Sequence, residues 1–130
     1  MNAPDLSFAV LPGAFSVVRL GVHETVAPLW AMPNDQFWSI TRTGDEMSVI
    51  CPTPQIPTGH RAEHGWALFK LLGPFAFDTI GVLASCAQPL AAAGVSIFAL
   101  STFDTDYILV KQAQLALAVS ALTQAGHRQA

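Results

Sequence analysis

The feature that most constrains the fold is a polar hexad between two strongly apolar runs in the second half of the chain. Residues 101–106, Ser-Thr-Phe-Asp-Thr-Asp, separate Val95–Leu100 from Tyr107–Val110. Both flanking runs are short and rich in branched and aromatic residues, which is typical of buried strands. The hexad carries the Ser, Thr and Asp side chains that turns favour. The pattern therefore predicts a β-hairpin.

A helix and a further strand are predicted ahead of this hairpin. Trp66–Leu72 is apolar enough for a strand, and Asp78-Thr79 opens a helical stretch. Apolar residues recur in that stretch at helical spacing, namely Ile80, Leu83, Ala84, Ala87, Leu90 and Ala91. Because a helix carries the chain back, we expect strands 66–72 and 95–100 to be parallel neighbours joined by a right-handed crossover. Pro89 interrupts the helical pattern, so the helix should kink there, or break and restart.

A second helix follows the hairpin and completes a recognisable order of elements. Its apolar positions are Leu115, Ala118, Val119 and Leu122. Gly126 is placed to end this helix, and residues 127–130 are long enough for a short final strand. The second half of the chain is then ordered strand, helix, strand, strand, helix, strand, which is the ferredoxin-like βαββαβ order.

The first half of the chain predicts a similar layout with shorter helices. Leu6–Leu11 and Phe15–Leu20 flank Pro12-Gly13-Ala14, which indicates a hairpin or a bulged bend. Phe37–Thr41 and Met47–Cys51 alternate as a second hairpin. Prolines between these two pairs of segments leave room for only about one helical turn.

The repeated layout predicts an α+β protein of two ferredoxin-like subdomains, the first with shortened helices. We interpret it as a degenerate internal duplication, although no residue-level repeat supports it. Prolines and glycine are concentrated in residues 52–65, which favours a boundary there. The predicted subdomains are residues 1–60 and residues 61–130.

Composition excludes several classes of function. The chain is 52% hydrophobic and only 12% charged, which favours self-association because so little of its surface can be charged. A net charge of −3 with six Lys plus Arg leaves no basic stripe for nucleic acid. No apolar run approaches the roughly 20 residues of a membrane span, and the N-terminus lacks a signal-peptide pattern. We expect a cytoplasmic protein in which Cys51 and Cys86 are buried free thiols.

Three short motifs suggest chemistry, and the sequence context argues against each. His60–His64 has the H-x-x-E-H spacing of a class of zinc peptidases, but Gly59 and Gly65 bracket it and no third ligand is evident. Asp104-Thr105-Asp106 matches a D-x-D pattern that turn chemistry explains better. Ser85-Cys86 has no patterned His and acid beside it. We therefore expect no metal, no cofactor and no catalytic group.

The remaining constellation is suited to binding. A helix that starts at Asp78–Gly81 exposes unpaired N–H groups and a positive dipole end, which suit a carboxylate. Gly81 lets that carboxylate approach the backbone, while Asp104 or Asp106 takes an ammonium group. Together these groups suit a free amino acid. The alternatives are that Asp78 only caps the helix and that Asp104 and Asp106 only shape the turn.

Two long motifs give the chain a family resemblance. Phe77–Ala84 and Ala93–Val110 resemble the ACT-domain group related to the cytosolic arginine sensors. The first half agrees at Val18-Arg19-Leu20, Trp30, Ser39–Thr43 and Met47–Cys51. The resemblance covers nearly the whole chain and implies a pair of ACT-type subdomains that bind a small ligand, typically an amino acid, at a subdomain or subunit interface. By motif, it implies ligand contacts at Ile80, Gly81, Ser101, Thr102, Phe103, Asp104 and Asp106.

Three hypotheses for the function follow. The leading one is a non-catalytic, amino-acid-sensing module that acts as a homodimer. The second is a protein–protein assembly unit whose ligand pocket is vestigial. The third is an enzyme, for which Asp104 with His127 is the only acid–base pair worth testing.

Overall fold

The computed structural model describes residues 5–21, 23 and 28–130. Within them the strands are β1 (Ser7–Leu20), β2 (Ser39–Arg42), β3 (Met47–Pro52), β4 (Arg61–Leu71), β5 (Ile97–Ser101), β6 (Asp106–Lys111) and β7 (Arg128–Gln129). The α-helices are α1 (Val82–Ala92) and α2 (Leu115–Gln124), and 3₁₀ turns lie at Leu29–Ala31, Thr53–Gln55 and Gln112–Gln114. None of the helices described is long and apolar enough to cross a membrane.

The chain divides into two compact units. Met1–Pro12 and Ala67–Ala130 form one, which we call the helical unit because it contains α1 and α2. Gly13–Trp66 forms the other, which we call the proline-rich unit. Strands β1 and β4 each contribute residues to both units.

The helical unit confirms the predicted ferredoxin-like order of elements. Its strands are ordered β7-β1-β4-β6-β5. The β5–β6 hairpin is antiparallel, with Ile97 opposite Val110 and Ser101 opposite Asp106. The short final strand is also confirmed, and it pairs in parallel with the start of β1.

The prediction that strands 66–72 and 95–100 are neighbours is wrong, because β6 lies between β4 and β5. The Thr105 hydroxyl donates to the Leu71 carbonyl, so the start of β6 meets the end of β4. Strand β6 is therefore antiparallel to both neighbours, and β4 and β5 run in the same direction without pairing. Burial explains the order, since Ile108 and Val110 of β6 are buried while Phe98 of β5 is partly exposed.

Both helices pack on the sheet of this unit through one apolar stripe. Helix α1 buries Val82, Cys86 and Leu90, which are spaced four residues apart and so share a face. Helix α2 buries Ala118 and Leu122. Each fully buried leucine contributes about 1.5–3 kcal/mol of transfer free energy. Helix α2 ends as predicted, because Gly126 adopts a left-handed φ of 102°.

Helix α1 does not break at Pro89, and a buried histidine supplies the missing hydrogen bond. Proline has no N–H, so the Ser85 carbonyl loses its helical donor. Nε2 of His127 lies 2.8 Å from that carbonyl oxygen, and Nδ1 accepts the Leu6 N–H at 3.0 Å. Because Nδ1 is an acceptor, the proton of the neutral ring is on Nε2 and is donated to Ser85. The prediction of a break and restart is therefore wrong.

The proline-rich unit has the strand order β2-β3-β1. The second predicted hairpin is confirmed, since β2 pairs antiparallel with β3 from Ser39↔Ile50 to Arg42↔Met47. The single helical turn is confirmed as the 3₁₀ turn Leu29–Ala31 after Pro28. The buried core of the proline-rich unit consists of Val18, Leu20, Ala31, Met47, Val49 and Cys51.

Of the two alternatives predicted for Pro12-Gly13-Ala14, a hairpin or a bulged bend, the hairpin is wrong, because Ser7–Leu20 is one continuous strand. Gly13 has a left-handed φ of 94° within it, so the backbone is distorted locally without reversing. The strand has different partners on either side of this glycine. Ser7 and Phe8 pair with β7, whereas Phe15–Leu20 pair with β3.

Candidate functional site

A cavity of about 380 Å³ lies in the helical unit between the start of α1 and the turn that joins β5 to β6. We call it the helix-start cavity. Its lining residues are Phe75, Ala76, Phe77, Thr79, Gly81, Val82, Leu83, Ala84, Ser101, Thr102, Phe103, Asp104, Thr105 and Asp106.

The start of α1 differs from the prediction and provides the donors of this cavity. The helix begins at Val82, and Gly81 is its N-cap with φ 84° and ψ 11°. The first intrahelical bond runs from the Ser85 N–H to the Gly81 carbonyl at 2.9 Å. The N–H groups of residues 82–84 therefore have no helical acceptor, and all three residues line the cavity. No side chain among the described residues caps the helix, so the interpretation of Asp78 as a cap is wrong.

The turn opposite the helix is held by its two threonines. The Thr102 N–H donates to the Thr105 carbonyl at 2.8 Å. The Thr102 hydroxyl donates to the same carbonyl at 3.2 Å and accepts the Thr105 N–H at 3.3 Å. These bonds define the turn without the aspartate side chains, so shaping the turn does not explain Asp104.

The two carboxylates of the cavity differ in their availability. Asp106 accepts a hydrogen bond from the Ser101 hydroxyl. The main-chain carbonyl of Asp104 accepts the Phe75 N–H at 2.8 Å, but the Asp104 carboxylate makes no hydrogen bond or ion pair with another described residue. Asp104 is therefore the carboxylate with the larger free capacity for a cationic group.

Two exposed aromatic side chains stand at the mouth of the cavity. Phe77 and Phe103 are 77% and 78% exposed, and their rings meet edge to face with centroids 4.8 Å apart. Ile80 is 88% exposed and does not line the cavity. Among the predicted contacts, the structure brings together Gly81, Ser101, Thr102, Phe103, Asp104 and Asp106, and leaves Ile80 outside.

Several lining residues were not predicted from the sequence. Val82, Leu83 and Ala84 line the cavity and have N–H groups without helical acceptors, and they were missed because the helix was predicted to start at Asp78. The signal that identifies them is Gly81, since a glycine before an apolar helix marks a possible left-handed start. Nothing in the sequence identifies Phe75, because its place depends on the bond from its N–H to the Asp104 carbonyl.

The other motifs considered do not assemble a reactive centre. The described residues contain no group of three or more His, Cys, Asp or Glu that could hold a metal ion. Glu63 and His64 are consecutive residues of β4 and so point to opposite faces. Both ring nitrogens of His127 are bonded in the core, to Leu6 and to Ser85, so this histidine is not placed as an acid–base partner of Asp104.

The two cysteines are free and buried, as predicted. Burial raises the pKa of the Cys51 thiol from 9.0 to about 11. The pKa of Cys86 is raised as well, chiefly by burial. Both thiols are therefore protonated and unreactive near neutral pH.

The helical unit is thus a ferredoxin-like domain with a glycine-started helix facing a hairpin turn across a cavity. Residues 61–124 match the family model of the ACT domain. Residues 13–59 match a model that describes an N-terminal domain. The chain belongs to the ACT-domain family, which confirms the resemblance found in the sequence.

Known proteins extend this comparison. A protein of Agrobacterium tumefaciens with a crystal structure is 41% identical, with a TM-score of 0.91 over 98% of this chain and 94% of that one. The cytosolic arginine sensor for mTORC1 subunit 1 of Mus musculus is 33% identical over 66 residues, 50% of this chain. That match spans only 20% of the sensor's length. The regulatory subunit of aspartate kinase from Thermus flavus shares the fold, with a TM-score of 0.63 at 15% identity over 91% of this chain and 95% of that one.

Proposed function

We propose that the chain binds a free amino acid in the helix-start cavity and acts as a non-catalytic sensor of it. The observation that carries this proposal is the pairing of two kinds of group in one cavity. The N–H groups of residues 82–84 are donors without helical acceptors, and the Asp104 carboxylate is an acceptor without a donor among the described residues. A free amino acid carries one group for each, a carboxylate and an ammonium.

Each part of the cavity has a role in this proposal. The first turn of α1 receives the α-carboxylate, because its N–H groups and the helix dipole both favour negative charge. Gly81 has no Cβ, so the carboxylate can approach the backbone closely. Asp104 accepts the α-ammonium in a charge-assisted hydrogen bond. Phe77 and Phe103 contact the side chain of the ligand at the mouth of the cavity.

The relatives support the class of ligand. The name of the mouse relative describes a sensor of arginine, and the Thermus flavus neighbour is a regulatory subunit. Because the matched stretch is only a fifth of the mouse protein, we carry over the class of ligand and not its identity.

We further propose that the sensor is a homodimer located in the cytoplasm. Phe77, Ile80 and Phe103 are exposed apolar side chains near the start of α1, which we call the rim, and Phe77 and Phe103 are in contact. A second copy of the chain would remove the rim from water. The ligand then acts by binding one packing arrangement of the dimer more tightly than another. Two free buried cysteines agree with a reducing compartment.

The same rim also favours the second candidate, a protein–protein assembly unit with a vestigial cavity. In that case the apolar side chains bind a partner, and the polar groups beneath them have no ligand. The two candidates differ in one measurable respect, since only the sensor gains stability from an amino acid.

Thermal melting against the twenty amino acids tests the proposal. A ligand at one hundred times its dissociation constant stabilises the folded state by about 2.7 kcal/mol. We expect stabilisation by one chemical class of amino acid, and a dimer in light scattering that Phe103→Ser weakens. No stabilisation by any amino acid at millimolar concentration would refute the sensor and favour the assembly unit.

A further inference from the structure

A second cavity of about 290 Å³ lies on the other side of the 102–105 turn, within the helical unit. We call it the lysine cavity, because Lys70 of β4 lines it together with Tyr107 of β6. It shares Thr102, Asp104 and Thr105 with the helix-start cavity. The turn is therefore a common wall between the two cavities.

This wall is fixed to the end of β4 and the loop that follows it. The Phe75 N–H donates to the Asp104 carbonyl at 2.8 Å, and the Thr105 hydroxyl donates to the Leu71 carbonyl. A Cβ added at Gly73 would lie 3.0 Å from the main-chain carbonyl oxygen of Asp104. The loop after β4 and the 102–105 turn are therefore in close backbone contact. The lysine cavity is thus built from strand ends and a bonded turn.

The charges of the lysine cavity differ from those of its neighbour. Lys70 is partly buried, and its ammonium makes no hydrogen bond or ion pair within the described part of the chain. Asp104 is the only acid among the lining residues, and Lys70 is the only base. The helix-start cavity instead has two acids, Asp104 and Asp106, and no Lys or Arg.

We propose that the lysine cavity is a second binding site, for a small zwitterion. Lys70 binds the carboxylate and Asp104 binds the ammonium, and Thr102 and Tyr107 are further polar residues of the lining. A single positive and a single negative charge complement a ligand that carries one of each. A simple anion gains only the Lys70 contact and a simple cation only the Asp104 contact, whereas a zwitterion gains both.

The composition of the chain provides specific reporters for this site. Tyr107 is the only tyrosine, and Lys70 and Lys111 are the only lysines. NMR of protein with labelled tyrosine and lysine therefore gives one ring system at the cavity and two resolvable ε-methylene signals. Lys111 does not line the cavity and serves as the internal control. The Leu83 amide reports separately on the helix-start cavity.

Glycine is the probe, with acetate and sodium chloride at matched ionic strength as comparisons. We expect glycine to shift the Lys70 and Tyr107 signals saturably, with a dissociation constant at least about tenfold lower than that of acetate. Lys70→Met should abolish the Tyr107 response and leave any Leu83 response intact, while Lys111→Met should leave both.

Two results would overturn this site. Equal shifts of Lys70 and Lys111 would show general ionic screening, and acetate binding as tight as glycine would show an anion site without the ammonium contact. The two cavities share the Asp104 carboxylate, so their ligands compete for one ammonium contact. The test still distinguishes this site from the sensor proposal, because Lys70 and Tyr107 line only the lysine cavity and Leu83 lines only the helix-start cavity.

Discussion

The two units of the chain contain the same turn in different surroundings. In the proline-rich unit the Thr43 N–H donates to the Glu46 carbonyl at 2.9 Å, and the Thr43 hydroxyl accepts the Glu46 N–H at 3.2 Å. In the helical unit Thr102 makes the same pair of bonds with Thr105, at 2.8 and 3.3 Å. The third residue of each turn is an aspartate, Asp45 or Asp104.

What differs is the helix start that accompanies the turn. In the helical unit the segment between β4 and the β5–β6 hairpin contains α1. In the proline-rich unit the described part of the segment between β1 and the β2–β3 hairpin contains the 3₁₀ turn Leu29–Ala31. So short a turn has few aligned peptide dipoles and so little charge at its N-terminus. The comparison teaches that the aspartate-bearing turn of the helical unit gains helical N–H groups as partners for a carboxylate in the helix-start cavity.

The largest expected change in unfolding free energy concerns α1, the helix that distinguishes the helical unit from the proline-rich unit. His127→Phe leaves two buried backbone groups without partners, the Ser85 carbonyl and the Leu6 N–H, and should cost about 2–5 kcal/mol of unfolding free energy. In a Pro89→Ala background the cost should be smaller by about 1–3 kcal/mol, because the new N–H reaches the Ser85 carbonyl. Urea unfolding of the four proteins measures this coupling, and strictly additive costs would contradict it.

A smaller effect is expected at the helix start itself. Gly81→Ala places a Cβ on a residue with φ 84°, which costs about 1–2 kcal/mol in the left-handed region. Gly44 belongs to the turn of the proline-rich unit, has no positive φ and has open space around it. Gly44→Ala should therefore change stability by less than about 0.5 kcal/mol. Equal losses in the two variants, measured by urea unfolding, would remove the special role of Gly81.

A further effect depends on pH and concerns the buried thiol of the proline-rich unit. The pKa of Cys51 in the folded state is about 11 and its ordinary value is 9.0. Above pH 9 the unfolded chain loses this proton first, so the stabilisation is complete below pH 9 and is lost as pH rises to about 11. Melting temperatures across this range should fall less steeply in Cys51→Ala than in the original chain. A parallel decline in both proteins would show that other groups determine it.

Much of this fold follows from local pattern, and the misses share a cause. The β5–β6 hairpin, α2 and the Gly126 stop are local features, and each was predicted. The position of β6 between β4 and β5 depends on which hairpin strand is more buried, a property of the whole sheet. The role of His127 is also a property of the whole fold. Pro89 indicates that the Ser85 carbonyl lacks its helical donor, but it does not indicate which distant residue donates to it instead.

The lining of the helix-start cavity was predicted in part for the same reason. Asp104 was predicted because turn residues are visible in sequence, whereas Ser101 and Thr102 were implied by the family resemblance. The helix start was misplaced because Asp78-Thr79 has the composition of a cap, whereas the backbone uses the left-handed freedom of Gly81 instead. Lys70 was missed because its strand is otherwise apolar, and its cavity exists only when the end of β4 meets the 102–105 turn.

One paired measurement tests the central claim most directly. Asp104→Asn and Asp45→Asn make the same charge change at the same position of the same turn. The amino acid that most stabilises the original chain should stabilise Asp45→Asn equally. For Asp104→Asn we expect an affinity about ten to one hundred times lower and a correspondingly smaller rise in melting temperature. Equal stabilisation of both variants would contradict an ammonium contact at Asp104 and the amino-acid site built on it.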